Sequence, residues 1–375
     1  MTGTASDKRQ AIARLTPLAD VLALVSERVQ PVAPRSVEIG AASGRVLAAD
    51  ATVPALPASA IALQDGWAVA ADATLGAGSY APALLPTLPP RIEAGEPMPA
   101  GVDSVAPVDA VEVKNGHAQA FEAVSPGDGV LPAGGDANAN EPLRRAGERL
   151  RLTDTAVLAA AGLTEIIVRE PRVRVLPLRA DDIVQAAARL IAIDIARSGA
   201  LEEIVPGGAA LAEALTAEET DLIVAVGGTG SGRNDNAVLT LAEIGTVAVH
   251  GIALTPGETA AFGFAGAKPV LLLPGRLDST LSVWLTIGRA ILRRLAGAAG
   301  DEHETAETLT LARKIASTVG LTEIVPVRRQ GGQIEPLASK YLSLSALARA
   351  DGWVLVPAES EGYSVGSLVR VRPWP

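Results

Sequence analysis

The chain has no cysteine. That excludes a disulfide scaffold, thiolate zinc, iron–sulfur ligation and a cysteine nucleophile. Histidine is nearly as scarce. His117, His250 and His303 stand far apart in sequence, so there is no HExxH helix or local metal pair, and no GxSxG elbow announces a serine hydrolase. Long apolar runs are also missing, since Asp194 and Arg197 interrupt the longest candidate, and no membrane-spanning helix is expected. The polar opening Met1–Lys8 lacks the apolar core of a signal peptide, so the expected location is cytoplasmic. Positive charge is in deficit, 32 Lys+Arg against 42 Asp+Glu for a net charge of −10. This argues against broad nucleic-acid binding, which depends on neutralising phosphates. Lysine occurs only at Lys8, Lys114, Lys268, Lys314 and Lys340.

What is present describes a soluble globular chain. With 375 residues, 48% hydrophobic and 20% charged, it exceeds one ordinary core, and about two to four domains are expected. Thr16 as N-cap and Pro17 at the first helical position open a helix whose stripe is Leu18, Val21, Leu22, Val25 and Val29. From about Val37 to Pro142 the chain turns Pro- and Gly-rich with short β-like runs. Lys114-Asn115-Gly116-His117 between Val111/Val113 and Ala118/Ala120 predicts a two-residue hairpin. A helix over Thr153–Gly162 follows, capped by Thr153 with Asp154 in its first turn.

From Pro171 to about Gly300 short strands alternate with helices: strands at Val173–Leu178, Leu222–Val226, Val247–Leu254 and Val270–Leu273, helices at Ile183–Ser198 and Thr280–Leu295 with Gly297 as a stop. Such alternation implies a parallel sheet with both faces covered. Ligands on these sheets bind beyond the carboxyl ends of strands, where Gly227–Asp235 and Pro274–Ser279 are placed. An acidic linker, Asp301–Glu307, leads to a final β-rich stretch. There Gly331-Gly332 marks a hairpin, Ser343–Arg349 a short helix, and Trp353–Val356 and Leu368–Val371 strands, together a small barrel or sandwich.

Gly227-Gly228-Thr229-Gly230-Ser231-Gly232-Arg233-Asn234-Asp235 has nearly the glycine spacing of a P-loop. Arg233-Asn234, however, stand where Lys-Ser/Thr would contact phosphate and Mg²⁺, and no register gives GxGxxG. What remains is a glycine turn at a strand end, either a tight βα turn or an anion seat built from backbone N–H groups. Asp65-Gly66, Gly134-Gly135-Asp136 and Leu273-Pro274-Gly275 are each ordinary turn sequences taken singly.

Their order along one chain is more telling, and it resembles the MoeA family of molybdopterin molybdenumtransferases, which includes the E domain of gephyrin. Gln64-Asp65-Gly66-Trp67-Ala68-Val69 is similar to the family's M-D-G-Y-A-V. Arg91-Ile92-Glu93-Ala94-Gly95 through Pro99 is similar to R-I-x-T-G-A-x-x-P, and Gly134-Gly135-Asp136 to part of R-G-E-D. Gly227 through Asp235 follows G-G-V-S-V-G-x-x-D. His250 through Gly263 follows the segment with K-P-G-K-P-x-A-F-G, and Lys268 through Gly275 follows K-P-V-x-x-L-P-G.

The resemblance implies an elongated multidomain α/β plus β subunit. A two-segment helical domain would occupy 15–40 and 141–170, an inserted β domain 41–140, a molybdopterin-binding-like three-layer α/β domain 171–300, and a C-terminal β-barrel 305–375. It further implies a homodimer that inserts molybdate into adenylylated molybdopterin with AMP release, assisted by Mg²⁺ or another divalent metal. Contact with other molybdenum cofactor biosynthesis proteins or with molybdoenzymes would follow. The residues it implies are Asp65, Asp136 and Asp235 for catalysis, and Asp181 and Asp235 for the metal. The cofactor would lie on Gly227, Gly228, Thr229, Gly230, Ser231, Gly232, Arg233, Pro274, Gly275 and Arg276.

The cations of the pattern survive less well than its carboxylates. Ala94 and Gly230 replace a threonine and a serine, Leu131-Pro132-Ala133 the arginine run, Thr255 and Glu258 both lysines of K-P-G-K-P, and Arg276-Leu277 an Asn-Pro. Arg179, Arg233 and Arg276 are candidate substitutes, since a guanidinium can chelate phosphate through two N–H groups. Two readings follow: an insertase with a rebuilt anion pocket, or a catalytically weak paralogue that holds cofactor or docks on a partner in the same pathway.

Overall fold

The computed structural model describes residues 10–205, 211–300 and 306–375. Lys8, His303 and most of the acidic linker lie outside the described residues. The chain divides into two compact units: one takes the chain up to Ala49, Ala146–Thr155 and Glu165–Pro375, the other Asp50–Arg145 and Ala156–Thr164. Among the described residues no helix is long and apolar enough to cross a membrane.

The larger unit is organised by a six-stranded sheet in the order Leu201–Ile204, Arg172–Pro177, Leu222–Val226, Lys268–Leu273, Ala261–Ala265, Thr246–His250. The first four strands are paired in parallel and the last two pairings, through Ala261–Ala265, are antiparallel, so the sheet is mixed rather than wholly parallel. Leu222–Val226 is apolar throughout because both faces are covered. Val224 and Val226 pack with the helix Asp182–Arg197, while Ile223 and Ala225 join Leu211, Leu215, Val238 and Leu241 on the opposite side. Asp182–Arg197 buries Val184, Ala187, Ala188, Ile191 and Ile195, a stripe at three- and four-residue spacing.

Asp194, the residue that interrupts the apolar run, is buried on that helix. Its carboxylate accepts from Trp284 Nε1 at 2.8 Å and from Arg289 Nε and Nη2 at 2.9 and 2.7 Å, tying the helix to Trp284–Gly288 and Arg289–Ala296. Trp284 begins a π-helical turn, Trp284–Gly288. A Cβ on Gly288 would come within 2.1 Å of the indole ring, so glycine there lets the wide turn close over a fully buried tryptophan.

Three sequence expectations need correction here. Thr16 does not cap the first helix, Leu18–Arg28. Thr16–Pro17 instead pair in parallel with Ile252–Ala253, and Pro17 precedes the helix with no side-chain cap. The run Val247–Leu254 is two strands, because Gly251 takes φ 95° and sends Thr246–His250 and Ile252–Thr255 into different sheets. The helix expected from Thr153 begins at Leu152, where the Asp154 carboxylate reaches back to the Arg151 N–H at 2.8 Å.

Glu307–Leu311, Thr322–Gln330, Gln333–Pro336, Gly352–Val356 and Leu368–Pro373 close into a five-stranded C-terminal barrel, since Thr322–Gln330 pairs with both Gln333–Pro336 and Gly352–Val356. Its core is aliphatic, including Leu311, Val325, Val327, Ile334, Val354 and Val369. The start of Thr322–Gln330 also continues the pairing of Ile252–Thr255, with Thr255 beside Glu323.

The smaller unit is β-rich, with small sheets and the expected hairpin. Val111–Lys114 and His117–Ala120 are antiparallel, turned by Asn115 at φ 51° and Gly116 at φ 80°. Gly66 lies in Gly66–Val69, flanked by Arg91–Ile92 and Ser104–Pro107. A Cβ there would stand 2.1 Å from the Ala106 carbonyl and 2.7 Å from Val105 Cγ1. Gly66→Ala is therefore expected to destabilise this unit by about 2 kcal/mol or more through overpacking, read as a lower first transition in thermal unfolding.

Candidate functional site

A cleft of about 500 Å³ opens on the larger unit beyond the carboxyl ends of Arg172–Pro177, Leu222–Val226 and Lys268–Leu273. Its floor is two glycine turns in contact: a Cβ on Gly275 would lie 3.5 Å from Gly227 Cα. Gly227 and Gly228 have φ 98° and 75°, which side-chain-bearing residues rarely adopt. This double left-handed turn lets the chain leave its strand and cross the cleft as Gly228, Thr229 and Gly230 before Ala237–Ile244 begins.

The loop is pinned from several sides. Asp235, nearly buried, accepts from the Gly232 N–H at 3.0 Å with one oxygen and from Arg179 Nη2 with the other. Thr229 and Thr259 share a hydroxyl hydrogen bond of 3.1 Å, and His250 Nε2 donates to the Thr229 carbonyl at 3.2 Å. The Gln10 side chain donates to the carbonyls of Gly228 and Gly230 at 2.7 and 2.6 Å and accepts from the Val238 N–H at 3.1 Å.

Two cations, Arg179 and Arg276, and three anions, Asp181, Asp235 and Glu258, line the cleft. Both arginines are already engaged by carboxylates. Arg276 makes a two-pronged pair with buried Asp278, at 3.1 and 2.5 Å, and lies 4.7 Å from the Tyr341 ring centroid. The hydrogen bond to Asp278 raises the Arg276 pKa further above its already high value, so the group stays charged. Glu258 accepts the Gly257 N–H at 3.0 Å. Asp181 caps Asp182–Arg197, its Oδ1 accepting from Val184 N–H at 3.0 Å. Among the described residues no three His, Asp or Glu side chains converge as a metal cluster.

Of the residues singled out in the sequence, Asp181, Gly228, Thr229, Gly230, Asp235, Pro274, Gly275 and Arg276 share this one cleft. Ser231, Gly232 and Arg233 form the exposed crest of the loop and do not line it. The Gly232 N–H, a candidate for the anion seat, is occupied by Asp235. Asp65 and Asp136 belong to the other unit. Both are exposed, and Asp65 accepts from the Ala94 N–H at 2.9 Å. Gln10 and Thr259 were not read from the sequence as part of any site. A lone glutamine in a polar opening carries no local signal, because its partners lie over 200 positions later.

Comparison with known proteins bears on the whole chain. Residues 16–162 match the MoeA N-terminal region (domain I and II), 201–294 a probable molybdopterin binding domain, and 308–374 the MoeA C-terminal region (domain IV). The chain belongs to the MoeA family. It is 25% identical to molybdopterin molybdenumtransferase 2 of Mycobacterium tuberculosis, across 93% of this chain and 97% of that one. With molybdopterin molybdenumtransferase 1 of the same organism it shares 26% identity over 77% and 74%. The fold superposes on a molybdopterin biosynthesis MoeA protein of Pyrococcus horikoshii with a TM-score of 0.77 and 26% identity, covering 96% of this chain and all of that one. In this MoeA-family chain the cleft is formed at Asp181, the glycine loop of 227–235 and the Pro274-Gly275 turn, the last two within the molybdopterin-binding match.

Proposed function

We propose that this protein is a transferase of molybdenum cofactor biosynthesis that binds adenylylated molybdopterin in the cleft and inserts molybdate with release of AMP. The observation that carries the reading is the meeting of the glycine loop and the Pro274-Gly275 turn at the strand ends, with Asp235 and Arg179 paired between them. Backbone N–H groups and guanidinium groups are the donors that phosphate and oxyanions require.

A divalent cation fits the residues present. Magnesium commonly takes one or two carboxylates and fills its remaining positions with phosphate and water. Asp181 and Asp235 on the cleft wall would hold it. When bound it would supply positive charge to a cleft whose own side chains sum to a net negative one. Arg179 and Arg276 orient the anion, Asp235 sets the direction of Arg179, and the glycine turn brings backbone close to the ligand. Asp65 and Asp136 are proposed as further catalytic carboxylates, and the working species as a homodimer.

The test is complementation. The chain is expressed in a bacterium lacking its own molybdenumtransferase, and nitrate reductase is assayed with and without added molybdate. Restored activity is expected; none, from a soluble folded protein, overturns the reading. Asp235→Asn keeps an acceptor for Gly232 but removes the charge opposite Arg179. It is expected to cut turnover at least ~100-fold with little change in thermal midpoint, and unchanged turnover would remove Asp235 from the catalytic set.

A further inference from the structure

The Gln10 carboxamide is used almost completely: both N–H groups and the carbonyl oxygen are bonded, and the residue is only 4% exposed. Its three partners are backbone groups of Gly228, Gly230 and Val238, which bracket the loop and reach the helix after it. In a trans peptide the C=O and the following N–H point in opposite directions. Drawing the carbonyls of Gly228 and Gly230 toward Gln10 therefore turns the N–H groups of Thr229 and Ser231 away from it. Neither of those N–H groups donates to another group among the described residues. Gly228 also accepts from the Ala237 N–H at 3.1 Å, so the anchored carbonyl belongs to both the loop and the helix start.

We infer that Gln10 is a positioning residue of the cleft: it locks the glycine loop in the one arrangement that leaves the Thr229 N–H on the cleft wall, and the Ser231 N–H at the crest beside it, open to an anionic ligand. Backbone N–H groups left without an internal acceptor can receive an anion without any side-chain cation. That adds to what the two arginines of the cleft can offer, because Arg179 and Arg276 already share their guanidinium groups with Asp235 and Asp278. A loop of four glycines between Gly227 and Gly232 has large backbone freedom, and a buried three-point clamp removes it before the ligand arrives, so less ordering is left for binding. The inference rests on the cleft being the ligand site proposed above.

Gln10→Met and Gln10→Glu separate the possibilities. Methionine fills nearly the same space with no donor. Glutamate keeps the shape and an acceptor for Val238 but sets an oxygen against two carbonyls. Amide hydrogen exchange is measured over 227–235 in the ligand-free full chain, and AMP affinity by calorimetry. Both variants are expected to accelerate exchange in that segment at least ~10-fold and to weaken AMP ~10-fold, with thermal midpoints within a few degrees of the parent. If Gln10→Met matches the parent in both measurements, the side chain only fills space and the inference is overturned. Should Gln10→Glu not fold, Gln10→Met alone decides. Faster exchange in the variants with no AMP binding by the parent would uphold the clamp and overturn the proposed ligand instead.

Discussion

Glu258→Lys is expected to tighten AMP binding by roughly 5- to 150-fold. Glu258 stands half-buried on the cleft wall, at the second lysine of the K-P-G-K-P pattern, and its carboxylate accepts a hydrogen bond from the N–H of neighbouring Gly257. The substitution removes a negative charge and adds a positive one. At ~5 Å from a phosphate and an effective dielectric of ~20, each unit is worth roughly 3 kcal/mol before screening. Salt and solvent reduce the pair of changes to about 1–3 kcal/mol, or roughly 5- to 150-fold. Glu258→Gln, which changes one unit, should give about half the free-energy gain, and both gains should shrink as salt is raised. Calorimetric titration at low and physiological ionic strength checks this. A lysine variant that binds AMP no better would place the phosphate far from residue 258.

Asp194→Ala is expected to lose about 3–5 kcal/mol of stability, the usual cost of removing one partner from a buried ion pair. The Trp284 N–H would be left in the core without its acceptor, and Arg289 would lose the carboxylate that holds two of its donors. Burial by itself pushes the Asp194 carboxyl up, but the hydrogen bond and charge of Arg289, with the Trp284 N–H and Arg197, more than offset this and leave its pKa lowered. The sign of the linkage follows. A carboxylate with a depressed folded pKa adds stability above its unfolded value of about 3.9, and that contribution fades as pH falls through the lower folded value. Denaturant unfolding at neutral pH measures the loss. Below about pH 4 the parent should lose stability more steeply than Asp194→Asn, and parallel pH profiles would contradict the assignment.

Much of the α/β architecture was legible because buried parallel strands and amphipathic helices write their patterns locally. Leu222–Val226 coincides with its expected range, and Asp182–Arg197 differs by one residue at each end. The hairpin at Asn115-Gly116 and the stop at Gly297, φ 64°, followed from turn chemistry. The losses came where distant contacts overrode local preference. Ala261–Ala265 was not read as a strand because Gly263 weakens the pattern, yet a Cβ at Gly263 would meet the Thr246 carbonyl at 2.1 Å, so close strand approach selects glycine. Thr16 and Pro17 have the chemistry of a helix start, but edge pairing with Ile252–Ala253 claims them first. In the cleft, the two loops were readable from glycine and proline at strand ends. The pairing of Arg179 with Asp235, 56 positions apart, and the reach of Gln10 were not, since neither leaves a mark in nearby sequence.

The pairing of Thr255 with Glu323 bears on dissection of the molecule. A fragment ending at residue 300 would retain every residue that lines the cleft. It would also bare the side of Ile252–Thr255 that the barrel strand covers, presenting unpaired N–H and C=O groups beside apolar Leu254. Such an edge is a template on which other chains add. The barrel is thus a guard against self-association as well as a neighbour of the cleft, and isolating the cleft-bearing part calls for a charge or a proline on that strand to take the guard's place.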